Sequence, residues 1–232
     1  MDLRGWLRSS LIDFPDRIAT VVFTGGCNFR CPMCHNVDLV LRPGSLERID
    51  PEQIWSYLSR RVGIITGIVI TGGEPTLQHD LPAFCRRARS AGVAVKFDTN
   101  GYRPEVLESL LDEGLLDYVA MDVKAPPGKY RLLTGCEDIA IERIERSLML
   151  LRSSDISYEL RTTVVPGLLE ADDLLALAEW IFGAKRYVLQ QFRGSRTLDP
   201  QLATLVPYSS TKLSEMADAV RRWIPEVVIR GV

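Results

Sequence analysis

Six times along this chain an apolar, β-forming run is followed by a loop and then by an amphipathic run of helical period. That alternation restricts the fold more than any other feature, because parallel neighbouring strands need a crossover, usually a helix. The expected strands are 18–24, 67–71, 93–97, 118–121, 158–165 and 187–191, with a further short one at 227–230. Val21, Val22 and Phe23 are consecutive, as in a strand buried on both faces. Asp50 suits an N-cap, Pro51 the first helical position and Gln53 a capping box, with Ile54, Leu58 and Val62 following at four-residue spacing. Leu81, Phe84, Cys85, Ala88 and Ala91 form the next apolar face. Another helix runs from Pro104 to a stop at Gly114. Residues 125–136, rich in Pro and Gly, read as a loop, and three more helical stretches centre on Leu148, Leu177 and Ala217. Six strand–helix units are too few to close an eight-stranded barrel. In barrels of parallel strands the chemistry gathers at the C-terminal strand ends, so polar residues just after strands are the ones to weigh.

After the first strand comes Thr24-Gly-Gly-Cys27-Asn-Phe-Arg-Cys31-Pro-Met-Cys34-His-Asn36. The spacing CxxxCxxC places three thiols within eight residues. Three thiolates can hold three corners of a four-iron, four-sulfur (4Fe-4S) cluster, leaving one iron open to a small molecule. Gly25 and Gly26 allow a backbone that wraps closely around a bulky body. A zinc site with His35 as fourth ligand is the competing reading, weakened because Cys34 and His35 are sequence neighbours. A disulfide would leave an odd thiol. Cys85, on an apolar helix face, reads as a small buried hydrophobe, and Cys136 as incidental.

Composition narrows the setting. The chain has 232 residues, 46% hydrophobic and 25% charged, with net charge −2. This is enough for a sizeable core, and a single domain over 1–232 is expected. Within it the cluster loop spans 24–36, the core barrel about 18–192 and a C-terminal helical extension 193–232. Nucleic-acid binding lacks a basic footprint, a membrane span lacks an apolar run, and the N-terminus lacks a signal-peptide core. An odd count of five cysteines argues against a secreted disulfide scaffold and for a cytoplasmic, reducing, anaerobic setting.

CxxxCxxC after a first strand resembles the radical S-adenosylmethionine (SAM) superfamily. His35-Asn36 and the preceding Ser10-Leu-Ile-Asp-Phe-Pro15 resemble its glycyl-radical-enzyme activating enzymes, most closely the anaerobic ribonucleoside-triphosphate reductase activating proteins. The resemblance runs over nearly the whole chain. It implies a partial (β/α)6 TIM-like barrel, open on one side, a 4Fe-4S cluster on Cys27, Cys31 and Cys34, and SAM on its open iron. Met33 departs from the family, which places an aromatic residue there beside the adenine.

The strand ends carry the rest. Thr71-Gly72-Gly73-Glu74-Pro75 reads alone as a tight turn; beside the cysteines it resembles the segment that receives the amino group of SAM. Asp98-Thr99-Asn100-Gly101 reads alone as an Asx turn, and Asp122-Val123-Lys124 as a solvated salt bridge. The resemblance places the Asp-x-Lys pair on the ribose hydroxyls and the SAM carboxylate region, with Asp98 and Thr99 also at the SAM site. Arg161 lies inside a strand, where an unpaired charge is costly, and the resemblance puts it near SAM. Phe192, in Gln190-Gln-Phe-Arg193, stacks on adenine by this reading or packs in the core. Asp98 and Asp122, with backbone oxygens of Thr99 and Ala120, make a candidate site for sodium or potassium. No general base is assigned, and His79 reads as a turn residue.

The activity implied is one-electron cleavage of SAM to methionine and a 5′-deoxyadenosyl radical, which takes hydrogen from a glycine of a partner enzyme. The partner implied is a glycyl-radical enzyme, in this subgroup an anaerobic ribonucleotide reductase, with a flavodoxin- or ferredoxin-type electron donor. Other readings are an activase of pyruvate formate-lyase, a small-molecule radical SAM enzyme such as a deazaguanine synthase, and a non-catalytic iron–sulfur or zinc module. The cysteine assignment is testable directly. Cys27→Ala, Cys31→Ala and Cys34→Ala are each expected to lose most of the iron and the brown colour. Cys85→Ala and Cys136→Ala are expected to retain both, and iron loss in Cys136→Ala would refute the ligand set.

Overall fold

The computed structural model describes residues 1–232. Its eight strands are β1 (Leu3–Ser10), β2 (Ala19–Thr24), β3 (Gly67–Gly72), β4 (Ala94–Thr99), β5 (Tyr118–Asp122), β6 (Ser157–Val164), β7 (Arg186–Gln191) and β8 (Glu226–Arg230). Helices α1 (Val37–Leu41) and α2 (Pro51–Ser59) follow β2, and α3 (Leu81–Ser90) and α4 (Pro104–Asp112) follow β3 and β4. Then come α5 (Tyr130–Thr134), α6 (Ile141–Ser153), α7 (Ala171–Trp180) and α8 (Ser210–Val220). The strands stand in one sheet in chain order, with β1 and β8 at its two ends, so the sheet does not close. The expected open α/β architecture is present. No helix is long and apolar enough to cross a membrane.

The chain forms two compact units: 1–28 with 38–120, and 29–37 with 121–232. In the first, β1 pairs antiparallel with β2, while β2–β3 and β3–β4 pair in parallel. β1 is absent from the sequence expectations because Leu3-Arg-Gly-Trp-Leu-Arg has no clean alternation; its pairing with β2 decides it. Phe14, Ala19, Val21, Val69, Tyr118 and Ala120 form one buried cluster, against which Phe23 and Ala94 pack. Asp50 caps α2 by accepting from the Glu52 N–H, as a side chain at this position should. Val62 is not on the helix face expected of it: α2 ends at Ser59, and Val62 is exposed. Cys85 is fully buried, as its place on the apolar face of α3 requires.

In the second unit, β6–β7 and β7–β8 pair in parallel. The 125–136 loop contains a helical turn, α5, closed by Gly135 in the left-handed region at φ 62°. Pro126, Pro127 and Gly128 hide that turn from propensity reasoning, and the burial of Tyr130 and Leu133 selects it. The C-terminal extension carries β8 as well as α8. It is held by Glu159 of β6, fully buried, which accepts from both terminal nitrogens of Arg230 at 3.0 Å, with Arg186 at 3.8 Å. A buried carboxylate stays charged only if such partners replace its water.

Arg230→Ala removes this bidentate partner from a buried charge, a change that costs about 3 kcal/mol. The expected outcome is a lower denaturation midpoint and faster amide exchange in β8. The combined Glu159→Leu, Arg230→Met variant is expected to recover much of the stability, because no charge is then stranded.

Candidate functional site

Within the second unit, Asp122 ends β5 and lies between two cations. Lys124 Nζ donates to its Oδ2 at 2.9 Å and Arg161 Nε to its Oδ1 at 2.8 Å. Desolvation pushes this carboxyl up, yet Arg161 and Lys124 outweigh it and hold Asp122 at about 2. Arg161 thus has the partner that its place inside a strand demands. The Lys124 backbone N–H donates to the hydroxyl of Tyr130, which is fully buried. Thr162 Oγ1 donates to Val123 O at 2.6 Å and accepts from Tyr187 Oη at 2.8 Å, tying the end of β5 to β6 and β7.

Cys31 and Cys34 belong to the same unit, joined by a tight turn in which Cys34 N donates to Cys31 O at 3.0 Å. Burial pushes the Cys31 thiol up to about 11, while the Lys124 charge pulls the other way. The segment around them is pinned on both sides. Arg30 N donates to Thr134 O at 2.7 Å, and Asp199 N to Pro32 O at 2.9 Å. Gly135 allows the first contact, since a Cβ there would stand 2.6 Å from Arg30 O. His35 Nδ1 meets Arg196 O at 2.8 Å, and its ring lies 6.5 Å from that of Phe192. Phe192 and Met33 are both buried.

Within the first unit the central group is Glu74, 1% exposed. Its Oε1 accepts from Thr76 N, Thr76 Oγ1 and Thr99 Oγ1, and its Oε2 from Asn100 N at 2.7 Å. Burial raises its pKa against these bonds. The carboxylate expected to face the amino group of SAM is therefore largely committed to bracing the loops after β3 and β4. Glu74 N donates to Gly26 O at 2.8 Å, and Gly73 permits the approach, because a Cβ on Gly73 would fall 1.9 Å from that oxygen. Gly72, at φ 122°, has the same need beside Thr24. A side chain at Gly73 would thus disturb the residue next to Cys27 and not SAM contacts alone.

Asn100 is 6% exposed and spans the two segments. Its Oδ1 accepts from Tyr102 N at 3.0 Å, while its Nδ2 donates to Asn28 Oδ1 at 2.8 Å and lies 4.0 Å from Cys27 Sγ. Asp98 faces Lys96 Nζ at 3.9 Å; that lysine, 3% exposed, also donates to Asp13 O and lies over the Tyr118 ring. Ala120 packs in the inner apolar cluster. Each carboxylate of the candidate sodium or potassium site, Asp98 and Asp122, thus faces a side-chain cation in its own unit.

The donor set fits an iron–sulfur cluster. All five cysteines are free thiols, and thiolate is the ligand such clusters take. No three His, Cys, Asp or Glu side chains gather so as to hold a single metal ion, and the His35 ring is turned to a carbonyl instead. Asn100, Tyr130 and Lys96 were not singled out from sequence. Asn100 had the strand-end position as its only signal, Lys96 its charge within an apolar strand, and Tyr130 none.

Residues 21–181 match the family model of the radical SAM superfamily. A Methanocaldococcus jannaschii protein, provisionally named a glycyl-radical enzyme activating enzyme, is 34% identical over 227 residues, covering 96% of this chain and 93% of its own. The pyruvate formate-lyase-activating enzyme of Streptococcus mutans is 33% identical over 180 residues, 71% of this chain and 66% of that one. Among solved structures, Streptococcus suis SuiB bound to S-adenosylmethionine shares the fold at a TM-score of 0.68 and 13% identity, over 89% of this chain. The present chain spans 48% of SuiB, about half its length. On the family match and the near full-length relative together, this chain belongs to the radical SAM superfamily.

Proposed function

We propose that this radical SAM enzyme activates a glycyl-radical enzyme, with Cys27, Cys31 and Cys34 holding the 4Fe-4S cluster. The observation that carries the reading is the relative of that name, 34% identical across 96% of the chain. When bound, the cluster supplies the electron that breaks a sulfonium–carbon bond of SAM, so that a hydrogen atom can be taken from a glycine of the partner.

The chain's own residues bind and orient. Lys124 answers the SAM carboxylate as a point charge, while Asp122, fixed between Lys124 and Arg161, keeps an acceptor for the ribose hydroxyls. Gly72, Gly73 and the backbone around Glu74 form the amino-group receptor, and Thr99 and Asn100 hold that turn in place. Asp98 faces Lys96. Phe192 is fully buried with its ring 6.5 Å from that of His35, which favours core packing over a stacking face for the adenine. Anaerobic ribonucleotide reductase is the partner that the motifs around His35 and Ser10–Pro15 favour, with a flavodoxin- or ferredoxin-type donor. A reducing, cytoplasmic setting suits five free thiols. The reading is tested by anaerobic incubation of enzyme, SAM, a strong reductant and the candidate reductase. A glycyl radical in the electron paramagnetic resonance spectrum supports it; SAM cleavage with no radical on that partner or on pyruvate formate-lyase refutes it.

Three further outcomes are expected. Lys124→Ala weakens SAM binding about tenfold or more by calorimetry, with iron content unchanged. Asp122 is held at about 2, and the paired form of a lowered carboxyl persists above its pKa. SAM affinity therefore shows no inflection from Asp122 as pH is lowered from neutrality until it nears that value. Rates of SAM cleavage in sodium, potassium and a bulky organic cation are expected to be equal, since side-chain cations already face Asp98 and Asp122. A rate requiring one of these ions would restore the metal-cation reading.

A further inference from the structure

Asn100 has an orientation that the structure fixes. Its Oδ1 accepts the Tyr102 N–H at 3.0 Å, so the other end of the amide must be the NH2 group. That group points at the loop after β2, giving one N–H to Asn28 Oδ1 at 2.8 Å and lying 4.0 Å from Cys27 Sγ. Its own backbone N–H is anchored on the buried Glu74 carboxylate at 2.7 Å. A buried side-chain amide held at both ends, on a backbone that is itself anchored, cannot readily turn away from the sulfur. We propose that Asn100 is a positioning residue which directs an N–H at the Cys27 thiolate and thereby raises the reduction potential of the cluster it holds. The physical reason is that a donor facing a ligand sulfur withdraws charge from it, and hydrogen bonds to sulfur are among the determinants of cluster potential. The inference rests on the reading that Cys27 is a cluster ligand.

Asn100→Asp is the discriminating change, because a carboxylate keeps the acceptor for Tyr102 N–H and the size of the side chain but loses both N–H donors. Asn100→Ser, too short to reach the sulfur, is the second variant. The measurements are iron content, the circular dichroism spectrum and the midpoint potential of the reconstituted cluster from a redox titration followed by electron paramagnetic resonance. The expected result is full iron, an unchanged fold and a midpoint shifted to more negative potential in both variants. An unchanged midpoint in a variant that keeps its iron overturns the inference. Loss of iron from both variants with the fold intact overturns it too, since Asn100 would then be needed to build the loop rather than to bias its thiolate. Cys27→Ala separates the two levels. A cluster retained in that variant refutes the ligand assignment beneath the inference, whereas iron loss there with an unchanged Asn100→Asp midpoint refutes only the role of Asn100.

Discussion

The buried carboxylate of Glu74 is the constraint on which the first unit's functional loops depend. A carboxylate taken out of water is tolerated only where donors replace its hydration. Here those donors come from Thr76 after β3, from Thr99 at the end of β4 and from Asn100 just after it. The main chain at Glu74 in turn grips Gly26, beside the first cysteine. Three successive strand-end loops are thereby fixed by one side chain and by the missing side chain of Gly73. The arrangement is preorganised: the loops owe their positions to bonds within the protein, so a ligand would not have to order them.

The second unit solves a like problem with opposite materials. Its strand-end carboxylate, Asp122, is met by cations rather than neutral donors, and Lys124 and Arg161 keep it ionised. The same lysine lies within electrostatic reach of Cys31 and Cys34, so thiolates formed there have a compensating charge. Neutral donors and backbone hold the polar turn of the first unit in shape, whereas fixed charges hold Asp122 in the second.

The strand–helix alternation, the parallel pairings of β2–β3, β3–β4 and β6–β7 and the cysteine loop were all legible in the sequence, because each follows from local pattern: buried parallel strands are continuously apolar, and CxxxCxxC is a spacing. Strand-end position singled out Asp122, Lys124 and Glu74 from the sequence. It could not separate their roles. Glu74 and Asp122 are both acidic residues after strands, yet one is braced almost wholly by uncharged donors and the other by two cations. β1 and α5 were missed for a related reason. Neither has a strong local pattern, and each exists through what it packs on: β2 for the strand, the buried Tyr130 ring for the helical turn.

Residue types and spacing determined the class of fold and the thiol chemistry, since hydrophobic period and ligand identity are properties of the chain itself. Partner choice among buried polar groups was left to tertiary structure. That Asn100 turns its amide toward Cys27, that Lys96 reaches Asp13, and that His35 meets the Arg196 carbonyl are outcomes of long-range packing. Each joins residues far apart in sequence, and the cost of burying an unpaired polar atom selects such partners only once the strands have brought them together.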